Sequence, residues 1–147
     1  MKRQNTITAG RILIAGFMAV LLIMLGAAPA VARWYVGLRG MPAGGLATIL
    51  ICWYLCCVPA ALALWQLWRI LGRIGGGKPF DRANVRDIST VGWCALACTV
   101  ICTGGAFGYA PFVLVAVAML FLFVIVRVTG ACFRAAADLA EENSLTI

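Results

Sequence analysis

Apolar positions in this chain come in long unbroken runs, not in the alternation of a half-buried strand or the single stripe of a surface helix. No Asp, Glu, Lys or Arg falls between Arg11 and Arg33, between Arg39 and Arg69, or between Asp87 and Arg127. The hydrocarbon core of a bilayer is about 30 Å thick and takes roughly 20 helical residues to cross, so each run can span it. The third run is about twice too long for one crossing. Gly104-Gly105 and Gly108-Tyr109-Ala110-Pro111 interrupt it near the middle, which suits a tight helical hairpin. The pattern predicts an all-α fold, a four-helix transmembrane bundle with helices over about 12–31, 46–71, 82–107 and 111–142.

Composition agrees. Hydrophobic residues make up 64% of the 147 and charged ones 12%, against about 25% charged in a soluble domain. Four spans leave little chain for loops, so one integral membrane domain over residues 1–147 is expected. Pro59 lies near the middle of the second span, where it removes a backbone hydrogen bond and is expected to bend the helix.

The net charge of +7 has a topological reading that needs no nucleic acid. With four crossings both termini lie on one side, and of the twelve basic residues only Arg33 and Arg39 fall on the other. Lys and Arg gather on the cytoplasmic side, so both ends are expected in the cytoplasm of a bacterial inner-membrane protein. Trp34 and Tyr35 then mark the outer interface, and Trp65, Trp68 and Trp93 the inner one. The basic start, the apolar run and Ala30-Val31-Ala32 imitate a secretory leader. The run from Ile12 to Val31 exceeds the roughly 7–15 residues of a leader core, so the first helix is expected to stay uncleaved.

Seven cysteines invite a metal or redox reading. Cys94, Cys98 and Cys102 recur every four residues, as do Cys52 and Cys56. There is no His and no CxxC pair, and several thiolates in hydrocarbon would be costly without a bound cation. Small apolar residues at this spacing let membrane helices approach closely, so packing is the expected role and no cofactor or metal is assigned. No Asp, Glu, Lys or His lies in the expected hydrocarbon region, which leaves proton relays and intramembrane hydrolases without candidates. The chain is read as a non-enzyme. Ser89, Thr90, Thr99 and Thr103 are expected to bond back to their own helix.

Arg127 is the one ionisable residue with a claim on the membrane. It lies about 24 Å along the fourth helix, where it snorkels to the inner interface or turns inward to brace the bundle or bind a headgroup. Beyond it Arg134, Asp138 and Glu141 share one face and Val128, Cys132, Ala135 and Leu139 the opposite one, so this helix is expected to continue as an amphipathic cytoplasmic extension.

The middle loop is the most patterned segment. Gly75-Gly76-Gly77 is expected to close the second helix through a left-handed glycine. After Lys78, Pro79 and Phe80, Asp81 suits the N-cap of the third helix, with Phe80 and Val85 at the positions of a hydrophobic staple and Asn84 at the third helical position. Gly-Gly-Gly-Lys lacks the spacing and the preceding strand of a nucleotide-binding loop.

Gly77-Lys78-Pro79-Phe80, Asn84-Val85, Val91-Gly92-Trp93 and the ending Leu139-Ala140-Glu141-Glu142-Asn143-Ser144-Leu145-Thr146-Ile147 resemble a bacterial family of small membrane proteins, domain of unknown function 2975. The resemblance covers essentially the whole chain by layout. Asp81 stands where members often carry Thr, and Ser144 where an Asp commonly precedes Leu-Thr-Ile; both exchanges keep capping or turn chemistry. The resemblance implies a four-helix inner-membrane protein with no established activity, often encoded beside a small helix-turn-helix regulator.

That context gives the leading expectation, a non-enzymatic membrane partner that docks or sequesters such a regulator through the Gly77 to Val85 motif (Lys78, Pro79, Phe80, Asp81 and Asn84 within it), the amphipathic extension and the tail Leu145-Thr146-Ile147. Beyond the lipid bilayer and this regulator, no direct nucleic-acid partner is expected. An immunity or envelope-stress protein would instead use the outer loop around Arg33 to Gly45 and the hairpin between helices three and four. A small transporter or channel would expose Cys94, Cys98 and Cys102 to water.

Overall fold

The computed structural model describes residues 2–40, 43–76 and 81–145. Four α-helices follow in order: α1 (Lys2–Arg39), α2 (Ala43–Gly75), α3 (Arg82–Ala106) and α4 (Phe112–Leu145). All four are long and apolar enough to cross a membrane.

α1 outruns the expected span at both ends. Charges locate the edge of the hydrocarbon, but helix breakers locate the end of a helix, and the one proline between Lys2 and Arg39 is Pro29. The helix passes through it. Termination comes at Gly40, whose φ of +58° lies in the left-handed region that side chains disfavour. α2 likewise runs through Pro59 and ends at Gly75. The left-handed cap expected there is not at Gly75 or Gly76, since Gly40 alone among the described residues has positive φ; Gly76 N–H instead donates to Gly72 O at 3.1 Å. Gly77 and the Phe80 half of the staple lie outside the described residues.

α3 starts as expected. Asp81 is the N-cap in extended conformation, φ −75° and ψ 138°, and its carboxylate accepts from Ala83 N–H at 3.2 Å. That cap sets the helical phase, and with it the face that Asn84 and Asp87 present to α2.

Among the described residues α1 packs on α2, α2 on α3 and α3 on α4, and α3 is the most buried of the four. Its buried face carries Gly92, Cys94, Cys98, Cys102 and Gly105, small residues that admit close neighbours. A Cβ on Gly92 would meet Val126 at 3.4 Å, and one on Gly130 of α4 would meet Ile88 at 3.3 Å. α4 contributes Phe123, Val126 and Gly130 to this contact, and Phe133 and Ala137 continue its less exposed face. The apolar stripe read from sequence, Val128, Cys132, Ala135 and Leu139, is the exposed one; Leu139 is 61% accessible. Helical phase runs continuously from the membrane-crossing part, so the residues facing α3 there fix which later residues face it too.

Candidate functional site

Four arginines, Arg69, Arg73, Arg82 and Arg86, gather where α2 ends and α3 begins, beside the last turns of α4. Arg69 and Arg73 stand four apart on α2, Asn84 and Asp87 three apart on α3, so each pair shares one helical face. Arg73 Nη1 donates to Asp87 Oδ2 at 2.5 Å and to Asn84 Oδ1 at 3.1 Å. Arg69 Nη1 lies 3.9 Å from Asp87 Oδ1. Asn84 is fully buried and Asp87 5% accessible, so this polar knot holds two apolar helices together away from water. A buried carboxylate is tolerable only with a charge partner and hydrogen bonds, and Arg73 supplies both.

Beside the knot a groove of about 600 Å³ runs between α2 and α3, walled by Arg69, Arg73, Arg82 and Arg86 and continuing past Gln66 and Thr90 to Leu62. Arg82 leans the other way: its Nε and Nη2 donate to Glu141 Oε2 at 3.1 and 2.7 Å, with Asp138 Oδ1 at 3.9 Å. This ties the start of α3 to the end of α4 across 59 residues of sequence. On α1, Arg11 lies over the Trp68 ring of α2, 5.6 Å from its centroid, and Gly10 leaves room for Leu71.

The residues singled out from sequence fall partly here. Asp81 caps α3 and Asn84 accepts from Arg73. Arg127 is exposed; its Cδ would lie 3.6 Å from a Cβ on Gly92, and with Arg134 it borders a small cleft over Ser89. Leu145 ends α4. Lys78, Pro79, Phe80, Thr146 and Ile147 lie outside the described residues. Sequence reasoning missed Arg73 and Asp87. The available signal was a lone acid on the apolar side of helix three, one turn beyond Asn84 and matched by two arginines one turn apart on helix two.

The opposite end is less charged. The hydroxyls of Tyr35 and Tyr109 share a hydrogen bond that links α1 to the hairpin between α3 and α4, and Arg39 stacks over the Tyr35 ring at 5.7 Å. From there an apolar cleft leads inward, in two lobes of about 320 and 300 Å³ that share Met24, Trp53 and Phe112. Cys52, Cys56, Cys98 and Cys102 form its inner floor. Cys56 Sγ lies 3.9 Å from Cys102 Sγ, and Cys94, Cys98 and Cys102 are buried. They fill the α2–α3 contact as small side chains. No group of three His, Cys, Asp or Glu side chains among the described residues is placed to hold a metal ion. Thr90, Thr99 and Thr103 donate to the carbonyls of Arg86, Ala95 and Thr99, four residues back, as expected of hydroxyls within apolar helices.

Two features can therefore do work: an arginine-rich end fixed by ion pairs, and an apolar cleft closed at one end by two tyrosines. The family described as Protein of unknown function (DUF2975) matches residues 13–147, nearly the whole chain. No curated protein and no solved structure matches it.

Proposed function

The chain belongs to the DUF2975 family, and we propose that it serves as a non-enzymatic membrane partner, with both termini in the cytoplasm, that docks a small helix-turn-helix regulator at the inner membrane. One observation carries the reading. The Arg82–Glu141 pair draws the start of α3, next to the patterned middle loop, against the last turns of α4, next to the patterned tail. Two segments far apart in sequence thus border one end of the bundle and can present one surface.

The charge bias supports a cytoplasmic position for that end. Exposed Leu139 supports a protein contact there, because solvation alone does not call for an apolar residue on the wet part of an amphipathic helix. A regulator held at the membrane cannot reach its operator, so docking alone would regulate and no reaction is needed.

Reporter fusions at each terminus test the orientation, and co-purification of a co-expressed small helix-turn-helix regulator tests the docking. Deletion of residues 145–147, or Arg82→Ala, is expected to abolish recovery while leaving the protein in the membrane. Unchanged recovery with both variants overturns the docking reading.

A further inference from the structure

The groove between α2 and α3 holds more positive charge than its own acids neutralise. Of its four arginines, Arg73 is held by Asp87 at 2.5 Å and Arg82 is turned toward Glu141 at 2.7 Å. Arg69 reaches Asp87 only at 3.9 Å, and its other recorded contact is a 3.4 Å bond to the neutral Gln66. Arg86 is exposed and has no acidic partner among the described residues. Two guanidiniums on facing helices therefore point at one space of about 600 Å³ with a single, already engaged carboxylate in it.

We infer that this groove binds the phosphodiester headgroup of an anionic phospholipid, held by Arg69 and Arg86. A guanidinium offers a planar fork that matches two phosphate oxygens, and two of them suit one phosphodiester. The shape of the groove favours a lipid over a free anion. It leads from the arginines past Thr90 and Gln66 to Leu62, seven residues or about 10 Å toward the apolar part of α2. A headgroup at the arginines sends its acyl chains out past Leu62, where the apolar part of α2 begins. Exposed Trp65 and Trp68 stand at the same level of α2, as aromatic side chains do at the lipid headgroups. The Arg73–Asp87–Asn84 knot forms the back wall and holds the helices at fixed spacing, so the site exists before the lipid arrives. This inference stands apart from regulator docking, since it concerns the purified protein with no soluble partner present.

The test is thermal unfolding of the full chain in neutral detergent, titrated with dioctanoyl phosphatidylglycerol, dioctanoyl phosphatidylcholine or inorganic phosphate. Phosphatidylglycerol is expected to raise the melting temperature saturably while the other two do not. Arg69→Gln with Arg86→Gln is expected to weaken that response about thirtyfold, taking roughly 1 kcal/mol per arginine; Arg33→Gln with Arg39→Gln at the opposite end is expected to leave it unchanged. Should the double variant fold poorly, Arg86→Gln alone, which removes no ion pair, is expected to weaken it about fivefold. Equal stabilisation by phosphatidylcholine, reproduction of the shift by inorganic phosphate, or an undiminished response in the groove variants would overturn the inference. So would a groove variant that keeps the lipid response but loses the regulator, because the groove would then be a protein-docking site.

Discussion

The Tyr54 hydroxyl of α2 donates to the Leu25 carbonyl of α1 at 3.4 Å, and Leu25 is the residue four before Pro29. Proline has no N–H, so in a helix the carbonyl four residues earlier loses its donor. In hydrocarbon no water replaces it, and a neighbouring helix must. Tyr54 fills that role and in doing so fixes how α1 sits on α2.

Tyr54→Phe is therefore expected to lower stability by about 0.5–1 kcal/mol, the usual net worth of one such bond. Melting in detergent measures it. In a Pro29→Ala background, where Leu25 regains a helical donor, the same substitution is expected to cost almost nothing. Equal losses in both backgrounds would show that Tyr54 acts through packing alone.

Tyr35 and Tyr109 should give the bundle a base-sensitive latch. The Tyr109 phenol is held above its ordinary value, first by the hydrogen bond with Tyr35, then by partial desolvation and by the nearness of the Tyr35 charge. A group whose folded pKa is raised contributes stability that is intact below its unfolded pKa, about 10 for tyrosine, and lost as pH rises through the folded value. The melting temperature is expected to fall over that alkaline window in the native chain and to fall less in Tyr109→Phe. The difference between the two curves is the readout, since groups away from this pair titrate equally in both.

How much of this was written in the sequence depends on the range of the physics. Helix number and rough span positions were legible because an unbroken apolar run has one common solution in lipid, and Asp81 was legible as a cap because capping is decided within a few residues. The extent of α1 was not: its ends depend on the nearest breaker, Gly40, and not on the charges that mark the interface. The packing face of α4 was not legible either: charge segregation beyond Arg127 gives an apolar stripe that stays exposed, while the contact with α3 runs past Gly92 and Gly130, which leave room for Val126 and Ile88. The Tyr35–Tyr109 and Arg73–Asp87 contacts were out of reach for another reason. Each joins different helices, and sequence patterns give the face of a helix without its depth or its neighbour.

The cysteines should divide sharply by reactivity. Cys132 is exposed on α4, whereas Cys94, Cys98 and Cys102 are buried in the α2–α3 contact. Access governs alkylation, and burial among apolar groups opposes it. Maleimide treatment of native membranes, mapped by mass spectrometry, is expected to modify Cys132 first and the buried three only after denaturation. Ready modification of Cys98 would instead indicate a water-filled path, favouring a channel over a packed bundle.

Arg73 and Asp87 offer the most direct test of how the arginine-rich end is held. Removing one member of a buried ion pair leaves the other charge uncompensated and costs about 3–5 kcal/mol in water-excluded sites. Arg73 keeps some solvent contact, with 24% of its side chain accessible against 7% for Asp87, so the two losses should differ. Asp87→Ala is expected to cost about 2–3 kcal/mol, because the released guanidinium can turn to water, and Arg73→Ala somewhat more, because the carboxylate cannot. Arg73→Met with Asp87→Leu removes both charges and keeps the volume, and should recover most of the loss while leaving Asn84 to find a new donor. A double-mutant cycle on melting free energies measures the coupling. Strictly additive losses would mean that the two helices are held by apolar packing, with the pair as a passenger.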